Sequence, residues 1–194
     1  MTRRILLAGA LGTIALFLWT FIANVVFGFT ARFEMNRVAN EHVVYEILRD
    51  NVVAPGAYVV NPAPTASGGF PAGPVFAVTY GGVGHEAAGR MFIVETALAL
   101  VTVLLVTGLL AASAPSVLAR YLRRALFVTG IGVLLAVTGD LGRIGIAGLP
   151  IKAAVLLAAN TVLSWTAAGL AVAWVMRPRH PWHAPSSDGV AGAA

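Results

Sequence analysis

Between Ile5 and Phe29 the chain reads "ILLAGALGTIALFLWTFIANVVFGF", 25 residues without one charged side chain. At about 1.5 Å of rise per residue, a helix of that length crosses the roughly 30 Å of bilayer hydrocarbon with room for tilt. Three more apolar runs follow: Met91 to Ala112, broken only by Glu95; Ala125 to Gly139; and Ala153 to Met176. Inside hydrocarbon, backbone N–H and C=O groups can be satisfied only within a helix or a closed barrel. Four such runs therefore restrict the chain to spanning helices. Composition agrees: 58% of residues are hydrophobic and 11% charged, with a mean hydropathy of +0.83. A soluble domain carries about 25% charged residues. The expected fold class is an all-α membrane protein, a four-helix transmembrane bundle with a small α+β extracytoplasmic cap.

Arginines set the expected orientation. Arg3 and Arg4 precede the first run, Arg120, Arg123 and Arg124 separate the second from the third, and Arg177 and Arg179 follow the fourth. An even number of spans puts these groups on one side, the cytoplasm, together with both termini. The first run is read as an uncleaved anchor, because a signal peptide has an apolar region of about 7–15 residues and a small-x-small cleavage site. The expected divisions are helix one at 1–29, the cap at 30–90, helix two at 91–112, a cytoplasmic loop at 113–124, helix three at 125–146, an outer connector at 147–152, helix four at 153–176 and a disordered cytoplasmic tail at 177–194. The net charge is +5, but its carriers are mostly dispersed at the ends of apolar runs, where they fit topology better than nucleic acid. The chain has no cysteine, which excludes disulfides, thiolate metal sites and c-type haem attachment.

About sixty residues separate the first two runs, a length that usually carries structure or function of its own. "NEHVVYEILRDNV" has the spacing of a short amphipathic helix, with Val44, Ile47, Leu48 and Asn51 on one face. Asn40 is the expected N-cap, and Glu41 suits the positive end of the helix dipole. A turn at Pro55-Gly56 leads to a strand from Tyr58 to Val60, and "VFAVTY" alternates as a partner strand. "GGVGHEAAGR" reads as a flexible lead into helix two, and its glycines form no phosphate loop because no helix opening with Lys-Ser/Thr follows them. A cap of two strands and one short helix is marginal alone and needs the membrane surface, the helix ends or a partner.

"NEHVVYEILRDNVVAPGAYVVNP" resembles the outer-loop signature of an uncharacterised group of small bacterial four-helix inner-membrane proteins. The matching positions are Asn40, Glu41, Pro55, Gly56, Tyr58 and Pro62. "GPVFAVTY" and "RMFIVETALAL" resemble the next blocks, at Gly73, Pro74, Arg90, Met91 and Phe92. The resemblance implies the architecture and no activity. Between helices three and four this chain has "GDLGRIGIAGLP" where the group tends to be rich in Trp and Tyr.

The charges beside the runs are the candidate site. Arg124 to Asp140 spans about 24 Å of helix rise. If Arg124 snorkels to the cytoplasmic interface, Asp140 comes close to the outer one. Glu95, Asp140, Arg143 and Lys152 are then expected at one depth, as an outer-rim polar cluster that is either structural or binds a head group, a quinone or a partner. Asp140 and Arg143, at i and i+3, are placed to pair. Asn160 and Thr161 are the deepest strongly polar residues and suit interhelical hydrogen bonds. Gly108 with Ala112 and Gly169 with Ala173 have the small-xxx-small spacing of close helix packing.

His42, His85, His180 and His183 all fall outside the apolar runs, so axial haem ligands between helices are not expected. No H-E-x-x-H motif occurs, and no catalytic residue, metal site or cofactor is assigned. The expected function is a non-enzymatic accessory or scaffold subunit of a bacterial inner-membrane assembly, such as an energy-transducing (photosynthetic or respiratory) complex. Its partners would be the lipid bilayer and other membrane subunits or a second copy. The alternatives are an oligomeric transporter or a lipid- or quinone-binding protein, and a membrane enzyme using the outer-rim carboxylates Glu95 and Asp140.

Overall fold

Long apolar runs free of proline fold as helices, and proline and positive-φ glycine mark where they break. In a computed structural model of the chain, which describes residues 2–33, 37–60, 74, 76–144 and 148–177, α1 covers Thr2–Phe21 and passes into a π-helical turn, Ile22–Val26. Gly28 then takes φ 59°, a left-handed conformation that glycine adopts at no steric cost, and turns the chain into the short helix α2, Phe29–Phe33. The loop segment holds α3, Glu41–Asn51, and two strands, β1 (Gly56–Val60) and β2 (Phe76–Tyr80). The strands pair antiparallel with Tyr58 opposite Val78.

The next three long elements are α4, Gly84–Ala111, α6, Tyr121–Leu135, and α7, Ile151–Val175, with the five-residue α5, Pro115–Ala119, between the first two. Helix α4 begins seven residues before the expected Met91. Ala, Glu and Arg in "GHEAAGR" support helix, and Glu86 sits in the first turn, where the helix dipole favours an acid. From Gly84 onward, the expected flexible lead is therefore part of the helix. Helix α6 continues through a second π-helical turn, Ala136–Asp140, and one 3-10 turn, Leu141–Arg143. The connector closes with Leu149 N–H donating to the Arg143 carbonyl at 2.8 Å, and Pro150 stands immediately before α7. Among the described residues, four helical segments, Thr2–Val26, Gly84–Ala111, Tyr121–Arg143 and Ile151–Val175, are long and apolar enough to cross a membrane.

Helix α7 is central and packs along both α1 and α6. Helix α4 lies against α1 and meets α6 over a much shorter stretch. The tightest core gathers Ala8, Val103, Val106, Leu110, Val128, Trp165, Val172 and Met176, in the half of the bundle that holds the start of α1 and the end of α7. Glycines bring the axes together there. A Cβ on Gly9 would stand 2.3 Å from Leu104 Cδ2, one on Gly132 2.2 Å from Trp165 Cβ, and one on Gly169 2.9 Å from the Ala125 carbonyl oxygen. Gly108, expected at such a contact, has no heavy atom within 4 Å of where its Cβ would stand. Its Gly108/Ala112 spacing is real, but the rotation of α4 turns that face away from its neighbours.

Candidate functional site

Asn160 and Thr161 are adjacent on α7, so their side chains diverge by about 100° around the helix and reach different neighbours. The Trp19 indole Nε1–H of α1 donates to Asn160 Oδ1 at 2.9 Å. The Thr161 hydroxyl donates to Asp140 Oδ2, at the end of the π-helical turn beyond α6, at 2.6 Å. A single polar layer thus ties α7 to both neighbours, and a π-helical turn flanks it on each side. Such turns place one extra residue in a helix and recur at functional sites. Trp19, Asp140, Asn160 and Thr161 are all partly buried.

The four residues expected to share one depth do not. Thr161, and with it Asp140, lies nine residues along α7 from Lys152, about 13 Å of helix rise. Helix α7 runs ten residues, nearly three turns, from Thr161 to its start at Ile151, whereas α6 has already lost regular α-geometry by Asp140, which is why the helix ends and the charges are out of step. Glu95 lies deeper still. The Phe17 and Phe92 rings meet at 5.9 Å, which fixes the register of α4 against α1. Glu95 is three residues below that contact and Trp19 two above it, so the carboxylate is roughly 7 Å deeper than the polar layer. It is exposed, between Val94 and Thr96 midway along α4. On the stripe Val106, Thr102, Ala99, Glu95, the cover falls from buried through intermediate to open. The rim cluster is corrected accordingly. Asp140 belongs to an internal layer, Glu95 to an uncovered helix face, and Arg143 and Lys152 are exposed near the loop end. Among the described residues, ion pairs join His42 to Glu46 and Arg49 to Asp50, and the hydroxyl partner of Asp140 is Thr161.

In the cap, Asn40 is the residue before α3 but takes φ 58° and makes no side-chain capping bond. Its carbonyl accepts from Val44 N–H instead, so its role is the left-handed turn that asparagine tolerates. Glu41 opens α3, Pro55 precedes the strand and Gly56 starts β1. The Tyr58 hydroxyl donates to the Ala54 carbonyl at 2.6 Å and pins the turn. A shallow groove of about 240 Å³ runs between α3 and β2, lined by Tyr45, Leu48, Val52 and Val78 among others. Pro62 and Gly73 of the loop signature, and the tail with His180 and His183, lie outside the described residues.

The opposite end of the bundle is built from arginines. Arg124 is 3% exposed. Its Nε–H donates to the Ala173 carbonyl at 3.1 Å, its Nη1 to the Leu118 carbonyl, and its guanidinium lies 6.0 Å from the Tyr121 ring centroid. Tyr121 donates to the Leu170 carbonyl and Arg4 Nη1 to the Arg177 carbonyl at 2.7 Å. Carbonyls in the last turn of a helix lack intrahelical partners, and arginine satisfies them while complementing the dipole. Arg124 is therefore an internal clamp, not the snorkelling marker from which depth was reckoned. The signal that would have found it is its place four residues after Arg120, at the first turn of a helix facing the end of another.

No group of three or more His, Asp or Glu side chains among the described residues is arranged to hold a metal ion. Compared with protein families, curated proteins and solved structures, the chain matches none.

Proposed function

We propose that the protein is a multi-pass inner-membrane protein of bacterial type that serves as a non-enzymatic accessory or scaffold subunit. Both termini would be cytoplasmic, by the arginine distribution, and the strand-and-helix cap would lie outside. The observation that carries this reading is Glu95. Acyl chains can cover the exposed Ile93, Val94 and Leu98 around it, but they cannot solvate a carboxylate midway along a span. A polar or cationic side chain on a neighbouring protein helix can. The test is to purify the tagged protein from its native membrane in mild detergent, measure the native mass, and place a photo-crosslinker at Leu98. A different protein in stoichiometric amount, crosslinked from Leu98 and lost in Glu95→Leu, is the expected result. A lone monomer, or crosslinks only between copies of this chain, refutes it.

A second reading is favoured by the polar layer. Trp19, Asn160, Thr161 and Asp140, flanked by two π-helical turns, have the composition of a site for a lipid head group or quinone. That reading predicts a bound lipid or quinone that extracts from wild-type protein and is absent from Asp140→Leu.

A further inference from the structure

We propose that the arginine end of the bundle binds the phosphate of an anionic phospholipid, between the guanidinium groups of Arg4 and Arg177 and beside the Trp174 ring. Three observations converge there. Arg4 is anchored through Nη1 to the Arg177 carbonyl, which fixes it next to residue 177. The Arg177 guanidinium lies 5.5 Å from the Trp174 ring centroid, and Trp174 is 57% exposed. Buried Arg124 donates to the Ala173 carbonyl, one helical turn before Arg177. Arg3, Arg120 and Arg123 are exposed at the same end.

Among the described residues no carboxylate stands beside this cluster. The carboxylates of the described residues are those of Glu41, Glu46, Asp50, Glu86, Glu95 and Asp140. Asp140 is bonded to Thr161, twelve residues along α7 from the carbonyl that Arg124 holds, about 18 Å of helix rise. Glu95 is sixteen residues from the end of α4 at Ala111, about 24 Å. Both exceed the screening length of roughly 8–10 Å in physiological salt. The compensating anion must come from outside the described chain. The cluster closes the end of four apolar helices, and an exposed indole marks the depth at which tryptophan meets lipid headgroups. Arginine also pairs with phosphate through two parallel N–H donors. The occupant is therefore a headgroup phosphate held in the membrane plane, not a free ion.

Native mass spectrometry of the full chain, with dioleoyl phosphatidylglycerol and dioleoyl phosphatidylcholine in equal amounts, tests this. Retention of phosphatidylglycerol at least fivefold over phosphatidylcholine is expected. The preference should fall toward one in Arg177→Gln and persist in Arg177→Lys, which keeps the charge. Arg49→Gln, in the cap, should leave it unchanged. Equal retention of the two lipids overturns the proposal, as does a preference that survives both Arg177→Gln and Arg4→Gln. Displacement of the lipid by millimolar inorganic phosphate also overturns it, because the site would then be one for free anions.

Discussion

Gly169 and Gly108 offer the same sequence pattern and opposite surroundings, and substituting each by alanine separates packing from backbone propensity. A Cβ at Gly169 would lie 2.9 Å from the Ala125 carbonyl oxygen and 3.2 Å from Val128 Cβ. Ordinary contact begins near 3.4 Å, so α6 and α7 must part by several tenths of an ångström. Backbone cannot swing aside as a side-chain tip would. Overpacking of this kind costs about 1–3 kcal/mol. Alanine also gains about 0.8–1 kcal/mol of helix propensity over glycine, but it gains it at both sites. The difference between Gly169→Ala and Gly108→Ala therefore isolates the packing cost. In reversible thermal unfolding in detergent, followed by circular dichroism, Gly169→Ala should melt roughly 2–12 °C below Gly108→Ala. Gly132→Ala, whose Cβ would meet Trp165 Cβ at 2.2 Å, should melt at least as low. Equal melting of the Gly169 and Gly108 variants would refute the crossing geometry of α6 and α7.

Arg124→Lys keeps the charge but replaces the planar fork, whose Nε–H and Nη1–H reach the Ala173 and Leu118 carbonyls from two nitrogens, by a single nitrogen. It should lose about 1–3 kcal/mol of stability, and wild-type melting of that variant would show that the clamp is not needed. A double-mutant cycle of Trp19→Phe and Asn160→Leu should return a coupling of about 0.6 kcal/mol, and at most about 1.7, the range for hydrogen bonds between membrane helices. A coupling of zero would remove the bond. Asp140→Asn retains an acceptor for Thr161 and should leave melting near wild type, whereas Asp140→Leu should lower it. Adding Thr161→Val to Asp140→Leu should then cost nothing more, since the two act as one unit. A further loss on adding it would mean that the pair acts separately.

The helices were legible because hydropathy over twenty residues is a coarse and robust signal. Their rotation was not. In α1, α4 and α7 every face is apolar, so there is no amphipathic stripe to say which side meets a neighbour. That is why Gly108 and Gly169 look alike in the sequence and differ in the fold. Depth failed for a related reason. Counting residues from Arg124 assumes that an arginine beside an apolar run lies at the surface, and this one is buried against the end of α7. The strand pair was readable from its alternation and its Pro-Gly turn. The bond from Trp19 to Asn160 was not, because it joins positions 141 residues apart and Trp19 sits among many other apolar side chains of the first run.

The distribution of polar bonds separates one helix from the rest. In its interior, α7 is held by Asn160 and Thr161 to α1 and to the turn after α6, and toward its C-terminal end by Arg124, Tyr121 and Arg4. Thr129 adds a longer contact to Thr166 at 3.4 Å. Among the described residues, the hydroxyls of α4 make only local bonds, of the kind that Thr13 and Thr20 of α1 and Ser164 of α7 also make. Thr96, Thr102 and Thr107 each donate to the carbonyl four residues earlier in their own helix, the local bonding that satisfies a hydroxyl without a partner helix. Helix α4 is therefore joined to α1 chiefly by apolar contact at Gly9 and Phe17, the kind of joint in which no hydrogen bond must break for the helix to shift. The spanning helix whose described side chains make no hydrogen bond to another helix is also the one with a carboxylate on an uncovered face. A docking helix that brings a donor to Glu95 would supply the polar contact that α4 does not make among the described residues, and this is why the proposed subunit contact is placed on α4 rather than on the stapled face of α7.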